Sequence, residues 1–128
     1  MEHVTVRVIL DTSAIVAFAR ESIDVGEVIA EVADEPDAVF GLPVLCLAEA
    51  ARIVADSTRL DLLTGLPAAL ILTPDPESWR ALAITHDTVG RLDAASAVLA
   101  AIDLGCDVLT GQPGLYGGLA GGGPVIPI

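Results

Sequence analysis

The stretch Val4-Thr5-Val6-Arg7-Val8-Ile9-Leu10-Asp11-Thr12-Ser13-Ala14 decides the fold. Its first seven residues, Val4–Leu10, are β-branched or aliphatic apart from one arginine, which predicts a strand. The second half of that run is apolar at consecutive positions. Both of its faces are therefore expected to be covered, as in the central strand of a parallel sheet. Asp11 ends the run, and Thr12 or Ser13 is placed to cap a helix over Ala14–Arg20.

Strand and helix patterns alternate through the rest of the chain. Asp24–Ala33 carries Val25, Val28, Ile29 and Val32 on one helical face. A turn at residues 34–37 precedes a short apolar strand, Ala38–Leu42. Pro43 suits the opening of a helix that runs to about Asp56. Asp61–Leu66 reads as a helical turn, Ala69–Thr73 as a strand closed by Pro74, and Pro76–Thr85 as a helix with Trp79 as its packing anchor. Arg91–Leu104 is helical and nearly apolar all round, so burial is expected. Gly105 stops it. Cys106–Thr110 is a further strand, Gly111–Gly123 a glycine-rich loop, and Val125–Ile128 an edge strand where prolines are tolerated. The alternation predicts one α/β domain over residues 1–128, with a parallel sheet covered on both faces. Sites in such sheets form at the carboxyl ends of strands.

Composition narrows the function. The chain is 53% hydrophobic, enough for a real core, but only 3% aromatic, so that core is aliphatic. No apolar run reaches the roughly 18 residues of a membrane helix. No export signal is visible, which makes the cytoplasm the expected compartment. Cys46 and Cys106 lie in apolar segments without CxxC spacing and read as buried thiols. His3 and His86 are isolated, which leaves no zinc-type cluster, and His86 reads as a surface or capping residue. The net charge is −12 with no lysine; the six cations are Arg7, Arg20, Arg52, Arg59, Arg80 and Arg91. That balance argues against broad, sequence-independent nucleic-acid binding, which relies on a basic surface. The acidic surplus from Glu21 to Asp37 reads as a solvated helix face.

Three carboxylates stand in apolar surroundings: Asp11 after the first strand, Glu49 within Leu45–Val54, and Asp93 at the head of Asp93-Ala94-Ala95-Ser96-Ala97. Charge in such places is costly unless something offsets it. If the fold brings the three together, a divalent cation is the natural offset. Each also has a plainer reading. Asp11 suits a helix cap, Glu49 an i,i+3 pair with Arg52, and Asp93 the charge complement of a helix start.

Five phrases in this order resemble a PIN domain, in particular the small VapC-like toxins of bacterial toxin–antitoxin systems. They are Val8-Ile9-Leu10-Asp11-Thr12-Ser13-Ala14, Leu47-Ala48-Glu49-Ala50-Ala51-Arg52, Asp93-Ala94-Ala95-Ser96-Ala97, Gly105-Cys106-Asp107-Val108-Leu109-Thr110 and Pro124-Val125-Ile126-Pro127-Ile128. The resemblance spans essentially the whole chain. It implies a three-layer α/β/α fold with a central, mostly parallel sheet of four to five strands. It also implies a Mg²⁺- or Mn²⁺-dependent ribonuclease site, an RNA substrate, an antitoxin partner and a homodimer. By position, Asp11, Glu49 and Asp93 match the family's first three acids, and Ser13 matches its assisting hydroxyl, although Ser13 also suits a helix cap.

One departure stands out. The family's fourth acid follows the pattern Thr-x-Asp, and here Thr110-Gly111 is followed by Gln112. Asp107 is no substitute, because it begins its strand and belongs at the opposite end of the sheet. Like charges about 4 Å apart repel by roughly 4 kcal/mol at an effective dielectric of about 20. Gln112 offers an oxygen but no charge, so weaker metal affinity is expected. Three acids still suffice for one Mg²⁺, which often uses one or two carboxylates and keeps several waters. The resemblance makes Asp11 and Asp93 the main ligands, with Glu49 a ligand, directly or through water, or a group positioning the nucleophile. The alternative is a catalytically weakened PIN-like module that acts through protein binding.

Overall fold

A computed structural model of the chain describes residues 4–128. It is α/β, with eleven principal elements in the order β1 (Thr5–Leu10), α1 (Thr12–Ala19), α2 (Ile23–Asp34), β2 (Ala38–Pro43), α3 (Val44–Ile53), α4 (Thr58–Thr64), β3 (Ala69–Leu72), α5 (Trp79–Val89), α6 (Leu92–Leu104), β4 (Asp107–Thr110) and β5 (Val125–Pro127). Short 3-10 turns lie at Pro76–Ser78, Pro113–Tyr116 and Ala120–Gly122. The five strands form one sheet in the order β3-β2-β1-β4-β5, and every pairing is parallel. Six helices flank it in a three-layer α/β/α arrangement.

β1 is central, as its composition predicts. Its first half alternates between exposed and buried residues, and Val8, Ile9 and Leu10 are all buried. Ile9 lies level with Gly41 of β2 and Val108 of β4, so its neighbours on both sides are strands of the same core. The register slips between Val6 and Val8 against β2. Arg7, at that slip, is ion-paired to Glu35. Phe40, Leu42, Val108 and Leu109 complete a fully buried inner layer.

The sheet order has a consequence for function. From β1 the chain steps outward to β2 and β3 on one side, then returns to place β4 and β5 on the other. The strand order reverses between β1 and β4. Parallel sheets open a crevice at such a switch point, beyond the carboxyl ends of the two strands. Asp11 follows β1 there, and Thr110-Gly111-Gln112 ends β4 at the same edge.

Several local expectations are corrected. Asp11 itself caps α1, its Oδ1 accepting from the Ala14 backbone N–H at 3.0 Å, so the helix begins at Thr12 rather than Ala14. Pro43 closes β2 and caps α3 instead of lying in the helix. α3 ends at Ile53, where the chain turns extended at Val54, and the Asp56 side chain accepts from the Thr58 N–H to start α4. Trp79 is 59% exposed and stacks with the Arg80 guanidinium, so it anchors no core. The 3-10 turn at Pro76–Ser78 precedes it, and α5 runs on to Val89. α6 buries Ala94, Ala95, Ala97, Val98 and Ala101 but exposes Leu92, Ile102 and Leu104. Its small alanines pack inward while larger side chains face out, so apolar composition overstated its burial. Gly105 ends α6 in the left-handed region, at φ +69°, which an L side chain adopts only at a cost. Cys46 is buried, Cys106 is half-buried, and both are free. Among the described residues, no helix is long and apolar enough to cross a membrane.

Candidate functional site

A cleft of about 540 Å³ opens at the switch point, and Asp11, Ser13, Asp93 and Gln112 line it together with Arg20 and Arg91. Asp11 reaches it from the end of β1, Asp93 from the start of α6, and Gln112 from the loop after β4. Two of the three predicted acids therefore share one cleft, although 81 positions separate Thr12, beside Asp11, from Asp93.

Asp11 is 3% exposed, and three donors hold its carboxylate. Oδ1 accepts from the Ser13 hydroxyl at 2.6 Å and from the Ala14 N–H, and Oδ2 accepts from the Tyr116 hydroxyl at 2.8 Å. The residue is thus both a cap and a cleft residue; the two readings are compatible. Ser13 is tied in turn to β4. Its oxygen accepts from the Gly111 N–H at 2.8 Å and lies 3.3 Å from Thr110 Oγ1. Thr110 is fully buried and accepts from the Gln112 N–H at 2.9 Å. The loop carrying Gln112 is thereby fastened to the end of β1.

Asp93 is held by different partners. The Thr12 hydroxyl donates to Oδ2 at 2.5 Å, Arg91 Nε donates to Oδ1 at 3.0 Å, and Arg91 Nη2 donates to Oδ2 at 3.1 Å. Burial works against its charge, but the bonds from Arg91 and Thr12 prevail and hold the carboxyl below its usual value. The Cys46 thiol donates to the Asp93 backbone carbonyl at 3.3 Å, which ties α3 to the start of α6. Burial above all pushes that thiol up to about 12, helped by the charges of Asp93 and Asp11, so it stays neutral.

Glu49 is not in the cleft. It lines an adjoining shallow hollow with Arg52, Arg91 and Asp93. Its two oxygens accept from Arg52 Nη1 at 2.9 and 2.8 Å, and Oε1 lies 3.8 Å from Arg91 Nη2. The i,i+3 pairing with Arg52 is thus formed, and Arg91 bridges Glu49 to Asp93. In this geometry, no three His, Cys, Asp or Glu side chains are grouped to hold one metal ion among the described residues. Glu49 lies outside the cleft, and Glu49 and Asp93 are both paired with arginines.

Asp11, Thr12, Ser13, Asp93 and Gln112 nonetheless bring oxygen donors to the cleft, of the kind that suits a hard cation such as Mg²⁺ or Mn²⁺. Mg²⁺ commonly uses one or two carboxylates, and Asp11 and Asp93 are the two in the cleft that would hold it, Asp93 on giving up Arg91. Asp107 lies exposed at the start of β4, level with Val8, away from the cleft. His86 is exposed near the end of α5, and its carbonyl accepts from the Gly90 N–H; His3 lies outside the described residues.

The sequence reading missed Tyr116 and the bridging role of Arg91, and it took Thr12 only for a cap. Tyr116 carried a signal: it is the only tyrosine in the chain, set within a glycine-rich tail. A bulky residue there is a natural anchor, and it is fully buried with its hydroxyl on Asp11. No model of a known protein family matches the chain, and a search of curated proteins returns no match.

Proposed function

We propose that this chain is a PIN-like, metal-dependent endoribonuclease of the VapC type, the toxin half of a toxin–antitoxin pair. One observation carries the reading: Asp11 and Asp93 meet in one cleft at the switch point of a parallel sheet, in the chain order that the PIN resemblance requires. Asp11 and Asp93 would hold Mg²⁺ or Mn²⁺, with Glu49 joining through water or on leaving its arginines. The bound ion would polarise a phosphodiester oxygen and acidify a water. The chain's own residues do the rest. Tyr116, Ser13 and the Ala14 N–H fix the Asp11 carboxylate, and Thr12 fixes that of Asp93. Arg20 and Arg91 offer the cleft's positive charge to a phosphodiester, a geometry in which arginine excels. Ser13 and Gln112 add hydrogen-bonding groups to the same cleft. With so acidic a chain, an antitoxin would engage it through a basic segment. The reading also implies a homodimer working in the cytoplasm.

The test is cleavage of single-stranded RNA by the purified chain in Mg²⁺ or Mn²⁺. Cutting that needs the metal and disappears in Asp11→Asn and Asp93→Asn is the expected result. Cutting that survives Asp11→Asn or persists in excess chelator overturns the assignment. A second reading draws on Gln112 and on the pairing of Glu49 with Arg52: a catalytically weakened PIN-like module that acts through protein binding. Calorimetry that finds no Mg²⁺ or Mn²⁺ binding at millimolar concentration favours it.

A further inference from the structure

Arg91 meets two acids at once. Its guanidinium forks onto both oxygens of Asp93 and reaches Glu49 with the same Nη2, 3.8 Å away. Its side chain is 40% exposed, so solvent reaches the ion pair. It lines both the acidic cleft and the adjoining hollow that holds Glu49. Cations are scarce in this chain, at six against 18 acids. Arg20, Arg59 and Arg80 nonetheless make no ion pair among the described residues, while Arg52 and Arg91 both serve Glu49.

The Asp93 carboxylate that would bind a metal is therefore already paired with a cation of the chain. Arg91 occupies both oxygens of Asp93, and Thr12 shares one of them. A divalent ion on Asp93 would stand within ion-pair distance of the guanidinium, and like charges that close repel strongly. The two therefore compete for Asp93 in this geometry.

We infer that Arg91 is the resident counter-ion of Asp93 and Glu49, that it competes with a divalent cation for Asp93, and that, once displaced, it binds a phosphate of the RNA strand from the cleft it already lines. Its planar fork pairs with phosphate as readily as with carboxylate. Metal loading thus frees both Asp93 and a substrate-binding arginine, which couples the two binding events. This rests on the ribonuclease reading of the cleft.

The test titrates Mn²⁺ into the full chain by calorimetry, comparing wild type with Arg91→Gln and with Arg7→Gln, whose ion pair to Glu35 lies outside the cleft. Binding about tenfold tighter in Arg91→Gln, an ordinary size for coupling between sites, and unchanged in Arg7→Gln is the expected result. Arg91→Lys keeps the charge without the fork and should bind Mn²⁺ with intermediate affinity; it carries the test if the glutamine variant does not fold. A non-cleavable 2′-O-methyl oligonucleotide, read by fluorescence anisotropy with Mn²⁺ saturating, should bind more weakly to Arg91→Gln. Unchanged or weaker Mn²⁺ binding in the folded variants overturns the competition, and unchanged oligonucleotide binding overturns the phosphate role. If Mn²⁺ binds all variants equally and RNA is still cut, only this inference falls. If no form binds Mn²⁺ and none cuts RNA, the ribonuclease reading falls with it.

Discussion

The Tyr116 hydroxyl donates to Asp11 Oδ2 at 2.8 Å, joining residues 105 positions apart. Both are buried, Tyr116 completely. Burial, together with the charge of Asp11, pushes the phenol well above its usual value, so Tyr116 stays a neutral donor across the working pH range. The bond orients a cleft carboxylate and also pins the glycine-rich tail to the end of β1.

Removing that hydroxyl tests its structural worth. Tyr116→Phe keeps the ring and leaves Asp11 Oδ2 without its donor. A buried acceptor deprived of its partner costs about 1–3 kcal/mol. Urea unfolding should show a loss of that size with an unchanged slope. A variant as stable as wild type would mean that water or another donor replaces the phenol.

Acid should weaken the link between Arg91 and Asp93. The folded carboxyl titrates below its usual value, so as pH falls the unfolded chain takes up the proton first. The stabilisation is therefore complete above about pH 3.9, the ordinary aspartate value, and is lost as pH drops through the lower folded value. Urea midpoints near pH 6 and pH 3 should differ less in Arg91→Gln than in wild type. Equal losses in both proteins would show that Arg91 does not depress Asp93.

The two cysteines should behave differently toward a thiol reagent near pH 8. Cys46 is buried and pushed up to about 12, which leaves almost no thiolate. Cys106 is half-buried, and burial also raises it, with help from Asp107. Native protein should therefore label one thiol slowly and the second only on unfolding. Equal native rates would contradict the placement of Cys46 beneath Asp93.

Trp79, the only tryptophan, reports on its own exposure. Iodide should quench its fluorescence nearly as well in folded as in unfolded protein. Trp79→Ala should cost less than about 1 kcal/mol, the scale of an exposed cation–π contact with Arg80. A loss of about 3–5 kcal/mol, typical of a core aromatic, would restore the packing role that the sequence suggested.

Gly105 offers a backbone test away from the cleft. It holds φ +69° at the end of α6, with open space where a Cβ would lie. Gly105→Ala should therefore destabilise by about 1 kcal/mol through backbone strain alone. A neutral result in thermal or urea melts would show that the end of α6 re-forms at another residue.

The features legible in the sequence are those written in local chemistry. A run such as Val8-Ile9-Leu10 is apolar on both faces, and only the middle of a covered parallel sheet accommodates it. Gly105 marks a helix end because few other residues tolerate its dihedral angles. Asp11 was legible as a helix cap because its nearest partners, Ser13 and Ala14, lie within three positions. Trp79 misled for a matching reason: its side-chain type favours burial, but it lies in solvent, stacked with Arg80.

The sequence by itself determined an α/β chain of alternating strands and helices and put carboxylates near the strand ends, because periodicity and turn chemistry act over a few residues. Only the tertiary structure decided which carboxylates meet. Asp11 joins Asp93 because β4 packs beside β1 and α6 leads into it. Glu49 lines the next hollow, where it pairs with Arg52 and Arg91. The choice between a cation from the chain and one from solvent depends on distances of a few ångströms between residues far apart in sequence, and no local pattern encodes them.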